Sequence, residues 1–231
     1  MPSHKKILHF MSSALVTSIS VGVMGYGMST QWAKTTMECT RDGSSFLNGT
    51  AVITLELFVG NMDRTFCPVY GSVNEFQVIP KLVETGVTPL VLHTLVLCLL
   101  AMCLLSSVGS ILISLYNSVS NPYETYMGPV GIYTCSSLST CLSFVVLIIF
   151  VLNVNVTNMA EDLVRNFADA VPVDLSNKSS EMQLGYYLVI PYTVLSLLAI
   201  ALIYMYDHAA YTHRREQQRP TEDAPKEIMM Y

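Results

Sequence analysis

Few side chains in this 231-residue chain could do chemistry, and most of them stand outside its apolar stretches. Of six cysteines, Cys98, Cys103, Cys135 and Cys141 lie within apolar runs, where a thiol behaves as a small apolar group. Cys39 and Cys67 share a more polar connector. If that connector is exterior, the oxidising compartment favours a disulfide between them, the alternative being two free thiols. Sequons at Asn48, Asn155 and Asn177 offer amide nitrogens for N-glycosylation on the lumenal side, although Asn155 stands so close to an apolar run that its use is not expected. His93, beside Thr94 in an apolar run, reads as an interface histidine rather than a ligand. His208 and His213 near Asp207 form no convincing metal set, so neither a metal nor another cofactor is expected.

The elements that carry these groups follow from composition. The chain is 52% hydrophobic and 13% charged, against roughly 25% charged in an ordinary soluble domain. The excess is concentrated in residues 7–30, 90–116, 130–154 and 186–206, each near the roughly 20 residues that cross hydrocarbon. A lone segment in lipid must satisfy its own backbone N–H and C=O groups, which a helix does. Within these limits there is no Asp, Glu, Lys or Arg. A transporter, channel or intramembrane enzyme needs such groups at depth, so the expectation is a non-catalytic membrane protein whose first partner is the lipid bilayer. The net charge of −5, spread over connectors and tail, leaves no basic footprint for nucleic acid.

Lys5 and Lys6 precede the first span, and Arg214, Arg215, Arg219 and Lys226 follow the fourth, which favours cytoplasmic ends. The short connector 117–129 is then inside, and connectors 31–89 and 155–185 are outside, where the sequons fall. The first apolar run continues to Thr30, too long for a signal core of about 7–15 residues, and reads as an uncleaved anchor.

In the first exterior connector Ile53, Leu55, Leu57 and Val59 alternate with Val52, Thr54, Glu56 and Phe58, a period of two that predicts a strand with one buried face, with Gly60-Asn61 as its turn. Residues 66–70 and 73–78 are further extended candidates. Together they suggest a small antiparallel sheet stapled by the disulfide. In the second connector Met159, Leu163, Phe167 and Ala170 recur at helical spacing, with Glu161 and Arg165 as an i,i+4 pair. This predicts that span three continues outward as helix until Pro172, before a polar loop over 174–180.

Small residues recur at Ser18, Gly22, Gly25 and Ser29 in span one and at Ser106, Gly109 and Ser110 in span two, spacing that lets helix backbones approach closely. They are read as packing positions within the bundle, and oligomeric state stays open. Pro191 suits the first turn of span four.

The segment Asn121-Pro122-Tyr123-Glu124-Thr125-Tyr126-Met127-Gly128-Pro129-Val130-Gly131-Ile132-Tyr133 resembles the signature connector of the clarins. Gly27 to Trp32 and the tail from Arg214 to Tyr231 match the same family, so the resemblance covers nearly the whole chain, most loosely in the first exterior connector. Clarins in turn resemble the claudin and peripheral-myelin tetraspans, in which a Trp after span one precedes two disulfide-bonded cysteines on an extracellular sheet. Trp32, Cys39 and Cys67 fit that pattern, but the Gly-Leu-Trp motif of claudins is absent. The resemblance implies a four-helix transmembrane bundle with a small claudin-like extracellular sheet, in the plasma membrane. It also implies a role in organising membrane or cytoskeleton-associated proteins at actin-rich membranes of sensory or epithelial cells. The alternative is junctional adhesion or a paracellular pore. Residues 207–231 are expected to be disordered, and Met229-Met230-Tyr231 could add to a sheet edge in a PDZ-type domain.

Overall fold

The computed structural model describes residues 4–41, 47–67, 74–119, 128–167 and 173–218. Four helices in it are long and apolar enough to cross a membrane, over Lys6–Met28, Val87–Val119, Gly128–Asn155 and Leu184–Ala209. They belong to α1 (His4–Met28), α3 (Val87–Val119), α4 (Gly128–Asn155) and the pair α6 (Leu184–Tyr187) and α7 (Val189–Gln218), with α2 (Val78–Thr85) leading into α3. Helix α3 packs on α1 and α4, and α7 on the other side of each, so the bundle runs α1, α3, α4, α7 around its axis. The second span overshoots its expected limits of 90–116 because Pro89, in the first turn, lacks only an N–H that would be unpaired there anyway.

On the sheet side, β1 (Ala33–Arg41), β2 (Leu47–Leu55), β3 (Val59–Thr65), β4 (Asn74–Gln77) and β5 (Val173–Met182) form one antiparallel sheet in the order β4-β3-β2-β1-β5. Ala33, Thr35, Met37 and Cys39 alternate inward on β1, and Ala51, Ile53 and Leu55 on β2. The β2–β3 turn falls at 56–58, closed by Glu56 N–H to Val59 C=O at 2.9 Å, and not at the expected Gly60-Asn61. The segment 174–180, expected as a loop, lies within edge strand β5 paired to β1. Its backbone makes the ladder while its side chains are mostly polar and exposed, so no apolar alternation announces it.

The structure bonds Cys39 to Cys67 across a Cα–Cα distance of 5.6 Å and 28 residues of sequence. Cys39 lies on β1, opposite Gly49 of β2, and Cys67 just beyond β3, so the bridge must pass the middle strand. Gly49 makes that passage open, since a β-carbon there would overlap the carbonyl oxygens of Thr65 and Phe66. Phe66 turns the chain at φ 55°, sending its ring outward.

Span three does not continue outward as one helix. Thr157 donates its hydroxyl to Asn153 C=O, the turn breaks at 157–158, and a separate helix α5 (Met159–Phe167) follows. Met159 and Leu163 are buried and Phe167 half-buried, as the spacing required; Ala170 and Pro172 lie outside the described residues. Glu161 faces Lys178 at 4.0 Å rather than pairing with Arg165. Helix α7 runs through Arg214 and Arg215 to Gln218, where the tail was expected to be disordered. Residues 207–218 hold no Pro or Gly and several good helix formers, so nothing local stops the helix.

Candidate functional site

The sheet and the bundle share one apolar core, and its seam is built on Trp32. The chain leaves α1 at Met28 and must turn within four residues into β1, which places Trp32 directly over the helix ends. Its backbone N–H donates to Leu55 C=O at 2.8 Å, and its C=O accepts from Gln183 N–H at 2.9 Å, so it sits between β2 and the end of β5. The indole Nε1–H donates to Gly27 C=O at 2.8 Å, at the end of α1, where the Thr30 hydroxyl donates to the same carbonyl at 2.9 Å. The ring meets Phe150 of α4 edge-on at 5.0 Å, and Phe150 stacks on Tyr186 of α6 at 6.1 Å. Gly185 closes the arrangement: its N–H donates to Gln31 C=O at 2.8 Å, and a β-carbon there would overlap the indole. One fully buried residue, by its ring and its backbone, thus ties α1, α4, α6 and two strands together.

Around this seam the sheet is fastened at further points. His93 of α3 lies with Nε2 2.8 Å from Leu57 C=O; a carbonyl only accepts, so Nε2 carries the proton. The histidine expected at the membrane interface is instead 1% exposed and bonded to the sheet. Asn153 donates to Pro89 C=O at 3.4 Å, joining the upper ends of α4 and α3. Arg64 donates to Phe167 C=O at 2.7 Å, Lys81 stands 4.4 Å over the Phe167 ring, and Phe76 packs beside it at 5.3 Å. Helix α5 is therefore held against the sheet rather than offered as a free apolar face.

Deeper in the bundle lies a polar cluster that sequence reasoning missed. The Tyr192 hydroxyl of α7 donates to Cys103 C=O at 3.1 Å, which leaves its oxygen to accept from Ser107 at 2.8 Å and from Ser139. Ser110 and Ser136 stand 3.1 Å apart, and Ser143 and Thr193 2.8 Å apart. These bonds join α3, α4 and α7. The signal was present as serines three and four apart on both α3 (Ser107, Ser110, Ser114) and α4 (Ser136, Ser139, Ser143), all buried.

The packing residues divide. Ser110 is buried on Ser136, and Gly109 is half-buried, with Cys135 Sγ at 3.6 Å from where a β-carbon would stand; Ser106 beside them is half-buried. Ser18, Gly22 and Gly25 are exposed, and a β-carbon at Gly22 or Gly25 would meet nothing within 4 Å. Their reading as contacts within the bundle is therefore corrected: α1 turns Ser13, Thr17, Ser20 and Met24 inward, and Ser18, Gly22 and Gly25 lie on the outward side with Leu15, Ile19 and Tyr26.

Among the modification candidates, Asn177 is exposed on β5 at φ 53°, where β5 bulges against β1, and donates to Glu38 Oε2 at 2.6 Å. Asn155 is exposed at the last turn of α4. Asn48 lies on β2, and its side chain is outside the described set. Of the family connector, Gly128, Pro129 and Gly131 open α4, with Gly131 buried, while Asn121, Pro122 and Tyr123 lie outside the described residues, as does Met229 to Tyr231. Among the described residues no three of His, Cys, Asp and Glu gather to hold a metal. His208 is exposed and stacks on Tyr204 at 6.0 Å.

A family model described as Clarin-2-like matches residues 4–190. Clarin-3 of Mus musculus is 31% identical over 234 residues, covering all of both chains, and clarin-3 of Homo sapiens is 29% identical over 233 residues with the same coverage. Clarin-1 of Mus musculus is 28% identical over 173 residues, 71% of this chain and 72% of its own. With four membrane-crossing helices, a small antiparallel sheet and this full-length similarity, the chain belongs to the clarin family of tetraspan membrane proteins.

Proposed function

We propose that this chain is a non-catalytic organiser of the plasma membrane. Both ends face the cytoplasm, and the sheet faces outward, carrying glycans on Asn48 and Asn177. The observation that carries the reading is the Trp32 seam, which makes sheet and bundle one rigid body. A rigid outer platform with a helix running into the cytoplasm suits a protein that gathers neighbours. The hydroxyl cluster joins helices through Ser, Thr and Tyr side chains and holds no carboxylate, histidine or basic group. The basic residues at Lys5, Lys6, Arg214 and Arg215 support cytoplasmic ends. The partners in view are membrane or cytoskeleton-associated proteins of sensory or epithelial cells, with Met229 to Tyr231 offered to a PDZ-type domain.

Proximity labelling from a C-terminal fusion in such cells tests this. Recovery of the same actin-linked neighbours from isolated, non-contacting cells is the expected result, with those that depend on the last three residues lost on truncation. Enrichment only where two expressing cells touch would instead favour the claudin-like adhesive role.

A further inference from the structure

The bundle treats its buried hydroxyls differently at its two ends. In the half nearer the sheet they are bonded, either across helices in the Tyr192 cluster or back to their own helix, as Thr193 is to Val189 C=O at 2.8 Å and Ser196 to Tyr192 C=O at 3.0 Å. In the half away from the sheet, four buried polar atoms on three helices find no partner within the protein among the described residues. They are Ser13 Oγ of α1, Ser114 Oγ and Asn117 Oδ1 of α3, and Tyr133 Oη of α4. A helical serine or threonine can donate to the carbonyl three or four residues back. Thr17 does so to Ser13 C=O at 2.9 Å, and Ser118 to Leu115 C=O at 3.1 Å. Ser13 and Ser114 do not, and since both are wholly buried their hydroxyls face the interior of the bundle.

These atoms share one level. Ser118 Oγ of α3 lies 3.5 Å from Met11 Sδ of α1, which sets the register of the two antiparallel helices. From that contact Ser114 is about 6 Å nearer the sheet and Ser13 about 3 Å nearer. Side chains lean toward the start of their helix, so Met11 reaches away from the sheet to meet Ser118 and takes up the difference. On α4, Tyr133 is three residues below Ser136, which stands 3.1 Å from Ser110; Ser114 is four residues below Ser110 on α3. Tyr133 and Ser114 are therefore level too. Phe10, Ile132 and Ile203 form a buried apolar cluster there, with Ile113 and Tyr133 packed against it. Asn117, one turn further from the sheet, donates its amide to Ile113 C=O at 2.9 Å, which leaves Oδ1 to accept.

We propose that this level of the bundle is a binding site for internal water, held by Ser13, Ser114, Asn117 and Tyr133, which joins α1, α3 and α4 where these side chains make no direct bond to one another. The chemistry of the four groups selects the ligand. Three hydroxyls can each donate and accept, and the amide oxygen accepts, so the ligand must offer both donors and acceptors in a small volume. None of the four carries a charge, and an ion among them would be buried without a countercharge. Internal water meets such groups with about three bonds per molecule. The helices are thus joined directly by hydroxyls beside the sheet and through water at the other end.

X-ray radiolysis converts bound water into hydroxyl radicals that oxidise the side chains beside it. In the full chain in detergent micelles, Phe10 should be oxidised several-fold faster than Phe150 of the other half, although each is only 1% exposed. Equal rates, or a faster Phe150, would overturn the proposal, and this comparison needs no variant to fold. Unfolding titrations of the same chain give an independent reading. Ser13→Ala and Ser114→Ala should each raise the unfolding constant several-fold, and the pair together should cost little more than either alone, because the same water is lost. A gain in stability on removing either hydroxyl is the result for an unpartnered group in a dry core, and it contradicts the proposal. Full additivity of the two substitutions contradicts it as well.

Discussion

At the scale of single residues, Trp32 is the side chain on which most depends. Truncating a buried aromatic to alanine costs about 3–5 kcal/mol, and here it would also leave Gly27 C=O without the indole proton. Trp32→Ala should therefore lower stability by about that amount in a detergent unfolding titration. Trp32→Phe should lose less, since a ring still meets Phe150. Tyr192→Phe is the milder test. It deletes a hydroxyl shared by Ser107, Ser139 and Cys103 C=O, and interhelical bonds in membranes average about 0.6 kcal/mol with maxima near 1.7. A loss of about 1 kcal/mol is expected by the same titration. Trp32 was legible only through the family resemblance, whose pattern sets a Trp after span one ahead of two cysteines. Tyr192 was not: a tyrosine in an apolar run gives no sign of whether its hydroxyl faces lipid or three acceptors, which depends on how the helices are rotated against one another.

At the scale of elements, the four spans were legible because lipid imposes length and apolarity on each helix separately, with no reference to its neighbours. The sheet was legible only where one face is buried and the other is not. Ile53, Leu55 and Leu57 show that alternation and are all buried. Strand β5 does not, because it pairs with β1 through the backbone ladder and polar side chains, Thr35 with Ser180 and Asn177 with Glu38, and links segments separated by most of the chain. The staple across the sheet gives this scale its prediction. Cys39→Ser or Cys67→Ser should remove about 3–4 kcal/mol by the loop-entropy relation, seen as retention before the cell surface and a lowered unfolding midpoint. Gly49→Val should produce the same loss with both cysteines intact, and non-reducing electrophoresis with thiol labelling should find them free. The β-carbon would stand where the chain has to cross β2.

At the scale of the whole molecule, the helical bundle and the sheet form one body because Trp32, His93 and Gly185 bridge them, so a fault at the seam should be felt in both. Gly185→Val tests this, since the added side chain would displace the indole. Protease sensitivity of the sheet and detergent sensitivity of the bundle should rise together, and a change confined to one part would show that the two are independent. Sidedness is the claim on which the organising role turns, and it is read most directly by glycan mapping. In cells expressing the full chain, Asn48→Gln and Asn177→Gln should each remove one endoglycosidase-sensitive increment from its apparent mass, while Asn155→Gln should remove none. A chain that carries no glycan at Asn48 and Asn177, with the same sites reached by reagents confined to the cytosol, would contradict the account.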